Sequence, residues 1–160
     1  MDAGFDLRVM RWRNPFGVDL SKPYVYVVAV EAPMQTFRYV GKGIGVGRMD
    51  AYVRNVSRVL AGQTKRPALT RAGAAQRIGN LRYRYVHLVL AVGVLEGWPI
   101  THIPLENCSK DEHTAVERAR IIEHSCDVNN GPSWDIAEFQ ALAAQLTATG
   151  AGAAGGAHGS

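Results

Sequence analysis

Two short runs of β-branched and aromatic residues, separated by a single turn, constrain the fold of this chain more than any other feature. Tyr24 to Val30 reads YVYVVAV and Thr36 to Val40 reads TFRYV, with the Pro-containing turn EAPMQ between them. Residues of these types favour strands, and a short connection joins antiparallel neighbours. The segment is therefore predicted to form a β-hairpin.

The chain after the hairpin is rich in glycine and then becomes amphipathic. Gly41 to Gly47 reads GKGIGVG, a glycine density that predicts an irregular loop. Arg48 to Leu60 places apolar residues at helical spacing, so a basic helix is expected directly after the loop. Neither GxGxxG nor GxxxxGK[ST] can be written through these glycines, which argues against the two common nucleotide-binding loops.

The middle of the chain predicts a buried helix and one further strand. Gly62 to Ala75 is a basic connection interrupted by Pro and Gly. Gln76 to Leu95 is expected to form one or two helices, partly apolar on every side and hence buried. Ile100 to Glu106 predicts a strand, and Pro104 favours its placement at the edge of a sheet.

A well-marked helix start follows this strand. Ser109 and Glu112 form a capping box, which predicts a helix from Lys110 to about Ser125. One side of that helix would carry a polar stripe of His113, Glu117, Arg120 and His124, and the other an apolar stripe of Ala115, Ala119, Ile122 and Cys126. Glu117 therefore sits on a polar stripe backed by an apolar one.

Length and composition set the domain organisation. A chain of 160 residues with 47% hydrophobic content suits one domain with an ordinary core. We expect an N-terminal extension over 1–22, a domain over 23–147, and a flexible Gly/Ala-rich tail over 148–160. The domain would end with a helix that Ser133 caps and that runs to about Leu146.

Composition also bounds location and redox state. No apolar segment typical of a secretion signal stands at the start, and no stretch approaches the roughly 18 apolar residues of a membrane helix. We therefore expect a cytoplasmic protein without membrane contact. Cys108 and Cys126 are too few for a disulfide framework, and both are expected to be free thiols.

Positive charge is concentrated in one block of the chain. Between Arg38 and Arg84, eleven Lys and Arg residues face a single acid, Asp50, whereas acids prevail after Tyr85. Such a block can be an ordinary solvated face, but it also predicts a polyanionic partner, DNA or alternatively RNA. The candidate nucleic-acid contacts within it are Lys42, Arg54, Lys65, Arg66 and Arg71.

Several short motifs occur in a recognisable order. They are Tyr24-Val25-Tyr26, Tyr39-Val40-Gly41, Arg48, and Glu117 followed by Asn129. No piece is specific alone, but their order and spacing over roughly 23–130 resemble the GIY-YIG nuclease family. Two departures stand out: Tyr24 replaces the usual glycine, and Tyr52 stands four residues after Arg48, where the family more often carries histidine and some restriction-type members carry tyrosine.

The resemblance implies both a fold and an activity. The fold would be a small GIY-YIG-type α/β domain, in which a three-stranded, mainly antiparallel sheet is flanked by helices. The activity would be Mg²⁺- or Mn²⁺-dependent endonucleolytic hydrolysis of DNA phosphodiester bonds. Glu117 would be the only protein ligand of the metal, and Arg48 would bind the scissile phosphate.

The resemblance also implies roles for the tyrosines. Tyr26 would act as, or relay to, the general base for the attacking water. Tyr39 and Tyr52 would orient water and phosphate, with Tyr52 projecting on the same side of its helix as Arg48. Asn129 is the remaining family position and is counted among the nucleic-acid contacts.

Each of these residues also has a plainer role. The two hairpin tyrosines, Tyr26 and Tyr39, could pack across strands, Arg48 could be a surface residue, and Glu117 could pair with a neighbouring arginine. Asn129 could be a turn residue. The alternative function is accordingly a catalytically weak or inactive nucleic-acid-binding module on the same scaffold.

The remaining histidines and cysteines carry weaker signals. In a continuous helix, His113 and His124 would be about 16 Å apart along the axis, too far to share one zinc ion. His87 and His102 stand in apolar surroundings and are expected to be core or edge histidines rather than ligands.

Overall fold

The computed structural model describes residues 7–10, 13–65 and 81–151. Within them, an antiparallel sheet of three strands is combined with four α-helices, so the chain has the expected α/β character. The strands are β1 (Tyr24–Glu31), β2 (Thr36–Gly43) and β3 (Ile100–Asn107), in the order β2-β1-β3. The helices are α1 (Gly47–Leu60), α2 (Tyr85–Glu96), α3 (His113–Glu123) and α4 (Phe139–Ala151).

The register of the sheet assigns each side chain to a face. Tyr26 lies opposite Gly41, while Val28 lies between Tyr39 on β2 and His102 on β3. Directly opposed residues share a face, so Tyr26, Tyr39 and His102 point to the same side of the sheet. The main core lies on this side.

Helices α1 and α2 cover the core face. Tyr52 of α1 contacts the ring of Tyr26, and Gly93 of α2 lies against Val30. The tight approach at Gly93 explains why the almost wholly apolar α2 tolerates a glycine in its middle: a Cβ there would come within 2.8 Å of the Val30 side chain. Burial of apolar residues on every side of α2 confirms the expectation from its composition.

The glycine-rich segment differs from its expected loop. β2 continues to Gly43, so only the second half of the segment is irregular. The glycines are needed for space, because tyrosine rings of β1 lie over them. A Cβ on Gly41 would overlap the Tyr26 hydroxyl, and one on Gly43 would come within 3.0 Å of the Tyr24 hydroxyl.

The hairpin, the basic helix and the edge strand are confirmed, but three helix boundaries were wrong. α2 begins only at Tyr85, because Tyr83, just before it, forms a bridge with Trp134. The part of the expected helical segment over 76–80 lies outside the described residues. α3 begins at His113 and ends at Glu123, although Ser109 Oγ accepts from the N–H of Glu112 at 3.2 Å as a cap does.

The third wrong boundary is that of the last helix. A short 3₁₀ turn, Ile136–Glu138, precedes α4 and is capped by the Asp135 side chain rather than by Ser133. The helix then runs past Leu146 to Ala151, into the part expected to be tail. Residues 152–160 of that tail lie outside the described residues.

The orientation of α3 is the main correction. Ala115, Ala119 and Ile122 of its apolar stripe face outward, with Ile122 79% exposed. The polar stripe turns toward the sheet, because its members find partners there: His113 Nε2 bonds the Tyr24 carbonyl at 2.8 Å, and Arg120 pairs with Glu106. Side-chain pairing therefore decides which face of this helix is covered.

Part of the N-terminal extension packs onto the sheet. Met10 is buried in the core, and the N–H of Arg13 donates to the carbonyl of His102 at 2.8 Å.

Cys108 and Cys126 are free thiols. Among the described helices, none combines the length and apolarity needed to cross a bilayer.

Candidate functional site

Lys42, near the end of β2, links the residues that the motif singled out. Its carbonyl accepts a hydrogen bond from Nη2 of Arg48 at 2.9 Å. Its Nζ lies 3.5 Å from the Glu117 carboxylate and donates to Thr114 Oγ1 at 2.8 Å. Arg48 at the start of α1 and Glu117 in the second turn of α3 therefore both contact Lys42, with two cations and one carboxylate within reach of solvent.

The loop between β2 and α1 is fastened at its centre. The N–H of Gly45 donates to the Leu20 carbonyl at 2.6 Å, and the Tyr24 hydroxyl donates to the Gly45 carbonyl at 2.7 Å. Gly45 has φ +86°, a left-handed conformation that favours glycine. Tyr24 thus helps to hold the loop that precedes Arg48.

A pair of buried tyrosines lies on the other face of the sheet, the face that α1 covers. The hydroxyls of Tyr26 and Tyr52 are 2.5 Å apart, and both residues are at most 3% exposed. Burial raises the pKa of each hydroxyl well above its usual value, and the nearby Arg84 opposes the shift in both cases. Both phenols are therefore protonated at neutral pH, and the pair can exchange or pass a proton only as neutral hydroxyls.

Two histidines complete the buried cluster. The His102 ring lies 4.9 Å from that of Tyr26, and the His87 ring lies 5.6 Å from that of Tyr52. Burial lowers the pKa of each imidazole to about 3, with Arg84 and Lys65 adding to the effect at His87. Both rings are neutral core groups, as expected from their apolar surroundings.

Tyr39 is held by a residue that the sequence did not single out. The guanidinium of Arg84 donates to the Tyr39 hydroxyl and lies 5.2 Å from the centre of its ring. The Arg84 carbonyl accepts from the Trp134 indole N–H at 3.1 Å, which fixes the residue just before α2. The only sequence feature that pointed to Arg84 was its position as the last basic residue of the basic block, and no motif includes it.

The remaining predicted contacts are dispersed. Arg54 is exposed on α1. Lys65 is partly buried, and its pKa is lowered by that burial and by Arg84. Arg66 and Arg71 lie outside the described residues.

Asn129 has a structural task in this fold. Its side-chain amide donates to the Val40 carbonyl at 2.7 Å, and its Oδ1 accepts from the Val40 N–H at 2.9 Å. The amide thereby satisfies the outer edge of β2, as a neighbouring strand would. Asn129 positions β2, which carries Tyr39 and Lys42, through these two bonds.

The donor set at the site is sparse. Among the described residues, no group of three or more His, Cys, Asp and Glu side chains could hold a metal. Glu117 offers one carboxylate, 19% exposed, with the Thr114 hydroxyl and the Lys42 ammonium beside it. Such a site suits Mg²⁺, which keeps several waters and takes few protein ligands.

Comparison of the chain with protein-family models, with curated proteins and with solved structures gives no match. The geometry joins Lys42, Arg48 and Glu117 directly. The Tyr26 and Tyr52 pair, with Tyr39 and Arg84 beside it, lies on the sheet face opposite to the Lys42 side chain, and Arg48 is near enough to oppose the rise in the pKa of Tyr26.

Proposed function

We propose that this chain is a Mg²⁺- or Mn²⁺-dependent endonuclease that hydrolyses DNA phosphodiester bonds, with a fold and active site of the GIY-YIG type. The observation that carries the proposal is the convergence on Lys42 of Arg48 and Glu117, which are far apart in the sequence. A phosphate-binding fork and an accessible carboxylate at one spot are what metal-assisted phosphodiester hydrolysis requires.

Phosphate binding falls to Arg48 and Lys42. The guanidinium of Arg48 is exposed, and its bond to the Lys42 carbonyl leaves most of its N–H groups free to meet two phosphate oxygens. Lys42 adds a second positive charge, whose Nζ lies 3.5 Å from the Glu117 carboxylate. Together they neutralise charge that builds up on the phosphate during hydrolysis.

Glu117 would hold the metal, with Thr114 beside it. A divalent ion held there would act as a Lewis acid on the phosphate oxygens and would stabilise the leaving oxygen. Glu117 is paired with Lys42, so a cation held there would compete with the ammonium for the carboxylate. Lys42 has the length and exposure to pair with a phosphate instead.

The tyrosines would orient water and phosphate rather than abstract a proton from the attacking water. Because burial disfavours the tyrosinate form of Tyr26 and Tyr52, their paired hydroxyls are suited to fixing hydrogen bonds and relaying a proton. The family resemblance left open that Tyr26 itself acts as the general base. That role is less favourable than a relay, because it needs an ionised Tyr26 and burial disfavours the ionised form.

A nucleic-acid-binding module without strong activity is the second candidate. The same burial of the tyrosine hydroxyls and the pairing of Lys42 with Glu117 favour it, since both would slow catalysis without weakening a basic surface. Cleavage and binding assays separate the two candidates directly.

The deciding experiment is nicking of supercoiled plasmid with Mg²⁺ and with EDTA. We expect cleavage only with the metal, and loss of cleavage by at least a hundredfold in Glu117→Gln with folding preserved. Glu112→Gln is the matched control, because Glu112 is an exposed carboxylate just before α3 and is not part of the site. Equal activity of Glu117→Gln and Glu112→Gln would contradict the proposal.

Arg48 should affect rate more than affinity. Arg48→Ala is expected to slow cleavage by orders of magnitude while duplex affinity falls only a few-fold, because one contact among many contributes little to ground-state binding. Arg38→Ala removes an exposed arginine from β2 and is the control. Equal losses of rate and affinity in Arg48→Ala would reduce Arg48 to a general phosphate contact.

A further inference from the structure

The loop between β2 and α1 presents two aliphatic side chains to solvent. Ile44 is 56% exposed and Val46 is 66% exposed, on either side of Gly45. Isolated exposed apolar residues are common on proteins. These two differ because they stand together at the tip of a loop whose position is fixed.

The fixation comes from Gly45 itself. Both polar groups of its backbone are used inside the protein, the N–H by the Leu20 carbonyl and the carbonyl by the Tyr24 hydroxyl. The loop therefore cannot fold Ile44 and Val46 inward without breaking these bonds. The sequence places the two apolar residues outward on a rigid support, where they gain nothing from the protein core.

Positive charge brackets the same tip. Lys42 precedes it and Arg48 follows it, and both side chains reach solvent. An apolar tip between two cations suits a duplex nucleic acid, because the cations can bind backbone phosphates while the apolar side chains contact the bases.

We propose that Ile44 and Val46 form an apolar wedge that enters the minor groove of DNA and packs against a base-pair step, partly unstacking it. The inference rests on the proposed action on DNA and names the substrate class more closely. The favoured substrate is a duplex with a weakened step, such as a mismatch or a flexible pyrimidine–purine step, because there unstacking costs less.

The test is binding without hydrolysis, with Ca²⁺ in place of Mg²⁺. Fluorescence anisotropy compares a fully paired duplex with one that carries a single mismatch, and 2-aminopurine beside the mismatch reports unstacking. The variants are Ile44→Ser with Val46→Ser, the volume-keeping Ile44→Leu with Val46→Leu, and Ile122→Ser. Ile122 is the matched control because it is an exposed isoleucine on α3, remote from the loop in sequence.

We expect the wild type and the double leucine variant to prefer the mismatched duplex and to raise 2-aminopurine fluorescence. The double serine variant should bind that duplex about tenfold more weakly, lose the preference and the fluorescence change, and keep the same dependence on salt, since no charge is removed. Ile122→Ser should behave as the wild type.

Three outcomes would overturn the wedge. They are a double serine variant that keeps the preference, a wild type that leaves 2-aminopurine unchanged, and a loop that instead controls self-association in sedimentation. None of them bears on plasmid cleavage, so the nuclease proposal would stand. Mismatch-selective binding without any cleavage by Mg²⁺-loaded protein would support the wedge and count against the nuclease.

Discussion

At the scale of single residues, Tyr52 occupies a decisive position, because its hydroxyl meets that of Tyr26 in the interior at 2.5 Å. The sequence placed it four residues after Arg48, on the same side of the helix, and predicted that both would face phosphate. Arg48 is exposed while Tyr52 is 3% exposed, so Tyr52 does not share the exposed position of Arg48 and contacts Tyr26 instead. Its contribution should therefore depend on the oxygen rather than on the ring.

Removal of that oxygen is a direct test. Tyr52→Phe should slow plasmid cleavage about tenfold, because the hydrogen bond between the Tyr26 and Tyr52 hydroxyls is lost, and should cost about 1 kcal/mol of the free energy of unfolding. Tyr83→Phe is the control, since it removes another buried hydroxyl, one bonded to the Gln63 carbonyl at 2.7 Å. Equal rates for the two variants would show that Tyr52 is only a packed ring.

The glycines of β2 show what residue-level reasoning could and could not predict. Composition indicated an irregular backbone at Gly41, yet Gly41 and Gly43 are regular strand residues. Their small size makes room for the rings of Tyr26 and Tyr24 on the neighbouring strand. That requirement appears only once the register of the hairpin is known, because glycine is used for space as well as for conformational freedom.

At the scale of elements, strands were easier to predict than the orientation of helices. The hairpin and the edge strand follow from local residue preferences, and Pro104 correctly placed β3 at the sheet edge. The outward face of α3 could not be predicted from its pattern. Its polar residues pack inward because Lys42 of β2 and Glu106 of β3 lie opposite them, and periodicity within the helix does not encode these contacts between helix and sheet.

The start of α2 brings a further arginine to the proposed site. Arg84→Gln removes the cation that bonds the Tyr39 hydroxyl, so kcat should fall about tenfold with KM changed less than twofold. Arg84→Lys should restore only part of the rate, because lysine lacks the planar fork. A purely structural role would lower the melting temperature and leave kcat of the folded fraction unchanged.

Arg82→Gln is the control for charge. Arg82 lies two residues before Arg84 and pairs with Asp135 and Glu138, at the 3₁₀ turn that precedes α4. Its loss removes one positive charge from the same segment without touching Tyr39. A similar fall in kcat for both variants would indicate a general effect of charge rather than a task of Arg84.

At the scale of the whole molecule, the sheet and its two covering helices enclose titratable groups that the fold keeps neutral. His87 and His102 are 4% and 2% exposed, on α2 and β3, and each has its pKa lowered to about 3 by burial. The core is thus built around imidazoles that pack as aromatic rings against Tyr52 and Tyr26. The free energy of unfolding of such a protein is therefore expected to fall at a higher pH than that at which its surface carboxylates take up protons.

The free energy of unfolding should fall as the pH drops from about 6.5 toward 5. In this range the unfolded chain binds a proton at each imidazole, whereas the folded chain does not until pH is near 3, so each histidine removes up to about 1.4 kcal/mol per pH unit. Urea unfolding at pH 7, 6 and 5 measures the slope. His87→Gln should reduce the slope by about half, and His124→Gln, a change at the end of α3 outside the cluster, should leave it as in the wild type. A stability that is flat over this range would mean that the folded core accepts the protons, and that the two imidazoles are reached by water.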